Sequence, residues 1–230
     1  MSGREELYQR ELSLIGKEGL DRLERARVAV CGLGGVGSYA AEALARCGVG
    51  QLTLVDFDKV DVSNINRQLC ALHSTVGRDK ADVVAERIAD IDPACRVRKE
   101  KIFLDENTDM DALFADTDYI VDAIDHVPAK IAMICYAHGR GLPLISAMGA
   151  GRRVDPSCLR TADISETSGC PLARNIRKLL RERGINKGVK VVFSTERPLP
   201  VKEGELGSIA FVPSVAGLLM ASVVVRDLLR

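Results

Sequence analysis

Between residues 4 and 25, apolar or aromatic side chains recur at Leu7, Tyr8, Leu12, Ile15, Leu20 and Leu23, with Gly16 and Gly19 interrupting the run. That is the period of one buried helix face, so the spacing predicts an N-terminal helical arm ahead of the main fold. From residue 27 the pattern changes. Residues 27–31 form a short apolar run, 32–37 a glycine-rich turn, 36–47 an Ala-rich helical stretch and 51–56 a second apolar run. A strand, a helix and a strand in that order make a βαβ unit. The same reading predicts helices over 79–89 and 129–138, and strands over 97–103, 119–124 and 142–147. After Gly149 the chain breaks into short strand-like pieces, a helix over 172–183, a strand over 189–194, a Pro-rich loop over 198–207 and an apolar helix after Pro213.

Strands alternating with helices at this spacing predict an α/β chain. The expected architecture is Rossmann-like and doubly wound, a mainly parallel sheet with helices on both faces and a C-terminal extension. Neither an internal repeat nor a low-complexity linker divides the chain. The expectation is therefore one domain over 1–230, with an arm at 1–26, a nucleotide-binding core at 27–155 and an extension with a closing helix at 156–230.

Composition narrows the class. Lys+Arg and Asp+Glu both number 32 and 47% of residues are hydrophobic. Zero net charge argues against whole-molecule capture of nucleic acid, but it is a sum over blocks. Residues 104–125 hold eight acidic side chains and no basic one, whereas 172–190 hold seven basic and one acidic. The polar N-terminus is followed by no apolar core of secretory length, which predicts a cytoplasmic protein. Residues 209–225 are uncharged for 17 positions, but Pro213, Ser214, Gly217 and Ser222 interrupt them, which favours a core or subunit-interface helix over a membrane span. Seven cysteines without a C-x-x-C pair read as free thiols and leave no paired-cysteine zinc site.

Chemistry concentrates where the first strand turns into its helix. Gly32, Gly34, Gly35 and Gly37 follow a strand and open a helix, and Asp56 ends the next strand. Glycines let the backbone approach phosphate oxygens, the helix start offers free N–H groups, and the acidic residue accepts from ribose hydroxyls. A nicotinamide enzyme would need no more than this. Here Asp58, Asn64, Arg67, Gln68 and Lys80 follow at the same mouth, a density of charge that suits reaction at a triphosphate. Asp125 ends an apolar run, where an unpaired carboxylate would call for a metal ion or donors; Asp122 and Asp125 also fit helix-capping or turn roles before Pro128.

Gly-x-Gly-Gly-x-Gly, Asp-x-Asp at 56–58, Asn-x-x-Arg-Gln at 64–68, Lys80 and Asp-Ala-Ile-Asp at 122–125 resemble the adenylate-forming superfamily of ubiquitin-activating enzymes, in its bacterial ThiF and MoeB branch. The resemblance implies ATP with Mg2+, ribose on Asp56, phosphates on Asn64, Arg67 and Lys80, and the metal on Asp125. It further implies a homodimer in which Arg10, in Tyr-Gln-Arg at 8–10, reaches the partner's ATP. Arg10 read locally is a helix surface charge. The zinc-binding cysteine pairs usual in that branch are missing, and 230 residues leave no room for a catalytic-cysteine domain.

The second half, through Gly-Ala-Gly-Arg-Arg-Val-Asp-Pro at 149–156, Cys-Pro-Leu-Ala-Arg at 170–174 and the Gly-Ser segment at 207–217, resembles the tRNA threonylcarbamoyladenosine dehydratases. That implies ATP-driven cyclisation of threonylcarbamoyladenosine beside the tRNA anticodon. Activation of a small carrier protein's C-terminal carboxylate is the alternative. Cys170 is a nucleophile by position or a buried structural thiol. Residues 207–217 hold no cysteine, which argues against a sulfur-transfer partner. Arg174, Arg177, Lys178 and Arg181 fall on one helix face at i, i+3, i+4 and i+7, a stripe fit to track tRNA phosphates, with Arg152 and Arg153 as its extension.

Overall fold

The computed structural model describes residues 3–202 and 207–230. Residues 1–2, the start of the polar N-terminus, and 203–206, within the expected Pro-rich loop, lie outside them. The arm is two helices, α1 (Gly3–Leu7) and α2 (Gln9–Arg25), and α2 is kinked at Gly16, whose φ of 69° is open to a residue without Cβ. Then come β1 (Arg27–Cys31), α3 (Gly37–Arg46), β2 (Gln51–Val55), α4 (Lys80–Ile91), β3 (Arg96–Glu100), α5 (Met110–Phe114) and β4 (Tyr119–Asp122). The chain continues through α6 (Val127–Arg140), β5 (Leu144–Ala147), β6 (Leu159–Asp163), α7 (Pro171–Arg181), β7 (Lys190–Ser194) and α8 (Phe211–Leu228).

The seven strands form one sheet in the order β3-β2-β1-β4-β5-β7-β6. All neighbours are parallel except β6, which runs antiparallel to β7 from Leu159 opposite Ser194 to Asp163 opposite Lys190. Alternation along β1 sorts the core: Val28 and Val30 face α3, α4 and α8, while Ala29 and Cys31 face α5, α6 and α7. The segment after residue 155 is therefore not appended to the sheet's rim as a separate layer. It inserts β7 between β5 and β6.

Helix α8 is long and apolar enough to cross a membrane by length and composition, yet Val212, Ala216, Met220 and Val224 are buried in the core beside α3. A Cβ on Gly217 would lie 2.2 Å from the Val36 carbonyl oxygen, so the two helix backbones meet there. The arm packs at the N-terminal ends of the strands, against the ends of α3, α4 and α8. Tyr8 is buried and its hydroxyl donates to Asp92 Oδ2 at 2.7 Å and to the Ala45 carbonyl at 3.0 Å, while Arg4 pairs with Asp92 at 3.1 Å. Burial and the Asp92 carboxylate push the Tyr8 phenol far up, so it remains a donor. Leu7 and Leu14, by contrast, face solvent.

Candidate active site

Strand order reverses between β1 and β4, and the loops leaving their C-terminal ends open a crevice there. Gly32, at φ 86°, abuts Ala123: an added Cβ would stand 2.8 Å from the Ala123 carbonyl oxygen. At Gly37 it would stand 1.7 Å from the Gly32 carbonyl oxygen, so both positions demand glycine. Gly34 and Gly35 lie between them, with Gln68 and Arg67 alongside.

Asp56 is buried at the end of β2, where Oδ2 accepts from Leu33 N–H at 2.6 Å and Oδ1 from Asp58 N–H at 2.8 Å. Burial raises its pKa, against the lowering pull of those two N–H groups and of Lys80. Lys80 opens α4, is buried, and its Nζ donates to Asp58 Oδ2 at 2.7 Å. Arg67 donates to the Ser63 carbonyl at 2.9 Å and to Asn66 Oδ1 at 2.8 Å, and no carboxylate pairs with it among the described residues. Asn64 caps its own turn by accepting from Asp61 N–H at 3.2 Å. Gln68 is buried, and its Oε1 has no partner among the described residues. The glycine loop, Asp56, Asp58, Asn64, Arg67, Gln68 and Lys80 are thus assembled at one mouth.

Asp125 departs from its expected setting. Strand β4 stops at Asp122, so Asp125 stands on the following loop, exposed and without an ion pair among the described residues. The buried carboxylate is Asp122. It accepts from Lys130 Nζ at 2.8 Å and Ser146 Oγ at 2.6 Å, and Lys130 also donates to the Ala147 carbonyl at 3.0 Å. Lys130 carried no signal in the sequence beyond a helix charge. Among the described residues no cluster of three His, Cys, Asp or Glu side chains forms a protein-only metal cage. A Mg2+ ion bound mainly by triphosphate oxygens and water needs only one or two carboxylates, and Asp125 at the crevice fits that requirement.

Other expected positions separate into two groups. Arg174, Lys178 and Arg181 are exposed on α7. Arg177 is half-buried, and its Nη1 is spent on the Ile164 and Thr167 carbonyls and the Thr167 hydroxyl. Arg153 is only 3% exposed and donates to the carbonyls of Glu196, Gly149 and Gly151, so it clamps loops and leaves the expected basic surface. Arg152, the only described non-glycine residue at positive φ, is half-buried and tied to Leu199 and Gly207. Periodicity marks a helix face but says nothing of a neighbouring loop's carbonyls. Arg10 is exposed on α2 near Tyr8, at the end of the sheet opposite the crevice. Cys170 is buried at the start of α7.

The C-terminal wall of the site and the rings of Phe57 and Phe103 lay beyond sequence reasoning. Pro213 of α8 meets the loop, 3.2 Å from where a Gly35 Cβ would be, and Asn66 Nδ2 donates to the Ser208 carbonyl at 3.1 Å, so the C-terminal segment walls the site. Phe57, Phe103 and His126 gather above the strand ends, with centroid distances of 4.8 Å and 5.1 Å in that order.

The ThiF family model matches residues 8–230. The tRNA threonylcarbamoyladenosine dehydratase of Bacillus subtilis is 48% identical, over 97% of this chain and 94% of that one. The crystal structure of the Escherichia coli tRNA N6-threonylcarbamoyladenosine dehydratase in complex with AMP superposes with a TM-score of 0.94 at 36% identity, covering 99% of this chain and 96% of that one. The same enzyme's complex with ATP gives 0.92 at 35% identity, with the same coverage. The chain belongs to the ThiF family, within its group of tRNA threonylcarbamoyladenosine dehydratases.

Proposed function

We propose that the protein uses ATP to dehydrate threonylcarbamoyladenosine in tRNA, closing the threonylcarbamoyl group into a ring. The observation that carries this reading is the crevice itself: a glycine loop, a ribose-side carboxylate, a buried lysine and an arginine with no carboxylate partner among the described residues converge on one mouth, in a chain similar over nearly its whole length to dehydratases. A threonyl carboxylate oxygen attacks a phosphorus of ATP, releasing pyrophosphate or ADP. An atom of the same carbamoyl group then attacks the activated carbonyl carbon and loses its proton. The original carboxylate oxygen leaves on phosphorus, so the nucleoside loses one water. Because nucleophile and electrophile share one side chain, effective molarity is high and no enzyme thiol is needed. Cys170 is buried, in keeping with a structural role.

In this proposal Gly32, Gly34, Gly35 and Gly37 admit the phosphates, Asp56 and Asp58 serve the ribose side, and Asn64, Arg67, Gln68 and Lys80 hold the phosphate chain. Lys80 exchanges part of its Asp58 pairing for phosphate. Asp125 holds Mg2+, which supplies charge neutralisation at the triphosphate when bound. Arg10 cannot serve its own crevice from the far end of the sheet, which supports a homodimer in which it acts in trans. Arg174, Lys178 and Arg181 track tRNA phosphates without base specificity. The expected location is the cytoplasm, with no sulfur-transfer partner and no membrane.

Lys80→Ala and Asp125→Asn should each abolish turnover at unchanged far-UV circular dichroism and melting cooperativity. Turnover retained in both variants rejects the assignment.

A further inference from the structure

Lys130 and Asp122 form an ion pair at 2.8 Å beneath the crevice, and both side chains are wholly buried. Their places in the chain bracket the segment that carries Asp125. Asp122 is the last residue of β4, and Lys130 stands in the first turn of α6. Helix side chains lean toward the helix N-terminus, so the ammonium reaches back to the strand ends and closes the two ends of segment 123–126 on each other. All three ammonium donors are used, on Asp122 Oδ2 at 2.8 Å, Ser146 Oγ at 3.1 Å and the Ala147 carbonyl at 3.0 Å. Ser146 lies directly opposite Asp122 in the β4–β5 register and donates to the same Oδ2 at 2.6 Å. One ammonium therefore ties the ends of two neighbouring strands to the helix that follows the Asp125 segment.

The segment itself is closely seated. A Cβ on Gly32 would stand 2.8 Å from the Ala123 carbonyl oxygen and 3.0 Å from the Ile124 nitrogen, and Ala123 N–H donates to the Cys31 carbonyl at 2.8 Å. Ala123, Ile124 and His126 are half-buried, and Asp125 is the exposed member of the four. A buried ion pair adds little net stability over an apolar pair of similar volume, because desolvation offsets the attraction. Its directional bonds do what an apolar pair cannot, by fixing where the segment's two ends lie. We propose that Lys130 is a positioning residue for Mg2+ with ATP: together with Asp122 and Ser146 it staples segment 123–126 so that Asp125 is presented to the metal at the triphosphate. The inference rests on the assignment of Asp125 to Mg2+ made above. Lys130 is sealed from the crevice and acts only through the segment. Groups that orient a ligating side chain from behind typically govern metal affinity by about 10–100-fold.

The test measures ATP affinity by calorimetry, once with Mg2+ and once with EDTA, at a temperature well below every variant's melting transition; the ratio of the two affinities is the metal gain. The proteins are the parent, Lys130→Met, Lys130→Met/Asp122→Asn, Asp125→Asn and Ile134→Ala, the last a core truncation on the same helix at a side chain 1% exposed. Lys130→Met should lose about tenfold or more of the metal gain at an unchanged affinity in EDTA. The double variant should recover melting temperature without recovering the gain, which keeps the test intact if the single variant folds poorly. Ile134→Ala should melt lower and keep the gain. A parent-like gain in Lys130→Met and in the double variant, with the gain lost in Asp125→Asn, overturns the staple and leaves the metal assignment standing. Loss of the gain in Ile134→Ala as well overturns it by assigning the effect to general loosening of α6. A parent-like gain in Asp125→Asn rejects the metal assignment itself, and the proposal with it.

Discussion

Replacing Lys130 by Met removes an ammonium that is wholly buried and keeps most of its aliphatic volume. What remains is Asp122, also wholly buried, with Ser146 Oγ at 2.6 Å and a long contact from Ile124 N–H at 3.4 Å as its donors. Removing one partner of a buried pair costs about 3–5 kcal/mol, because the other charge is left uncompensated. The surviving serine bond places Lys130→Met toward the lower end of that range. For a chain of this size that corresponds to a fall in melting temperature of roughly 6–20 °C. Urea denaturation should show a lower midpoint at an unchanged slope. Adding Asp122→Asn should recover much of the loss, giving a double-mutant coupling of the opposite sign to the single losses. A Lys130→Met variant within about 1 kcal/mol of the parent, or a double variant whose losses simply add, refutes the assignment of this pair as an uncompensated-charge liability.

Burial holds the Asp56 pKa above the ordinary carboxylate value, so on acidification it takes up a proton earlier than an exposed aspartate; ATP affinity should decline at correspondingly higher pH, and a flat affinity through the carboxylate range contradicts its role. Arg177→Ala removes a donor to two carbonyls and a hydroxyl and should cost about 1–3 kcal/mol in urea melts, whereas Arg174→Glu with Lys178→Glu should leave stability within about 0.5 kcal/mol and weaken tRNA binding in a salt-dependent way. Reversal of those two patterns would mean the roles of the α7 cations are exchanged.

The sheet was legible because its signals are local. Apolar runs at 27–31 and 51–56 bracket a glycine turn, and the observed β1 and β2 fall within a residue of them. Partner choice was not legible. Nothing in residues 159–163 says that they form an antiparallel edge beyond β7, since a short half-exposed strand carries a weak periodic signal. The crevice residues were readable where chemistry depends on type and spacing, as with Gly32, Gly37, Asp56 and Lys80. Those defined by tertiary burial were not. Asp122 and Asp125 differ by three positions in the same motif, and only the end of β4 decides which carboxylate is buried. Arg153 and Arg177 looked like surface charge until neighbouring loops were seen to offer carbonyls to their guanidinium groups. Pro213 and Ser208 reach the site from more than 140 residues away along the chain, a distance no local pattern spans.

The most direct measurement of the central claim is the mass of the modified nucleoside after incubation of the protein, ATP and Mg2+ with tRNA bearing threonylcarbamoyladenosine. The account predicts the loss of one water from that nucleoside, accompanied by ATP consumption, absent without ATP and absent with Lys80→Ala. An unchanged nucleoside mass alongside ATP consumption that depends instead on the C-terminal carboxylate of a small carrier protein would contradict it.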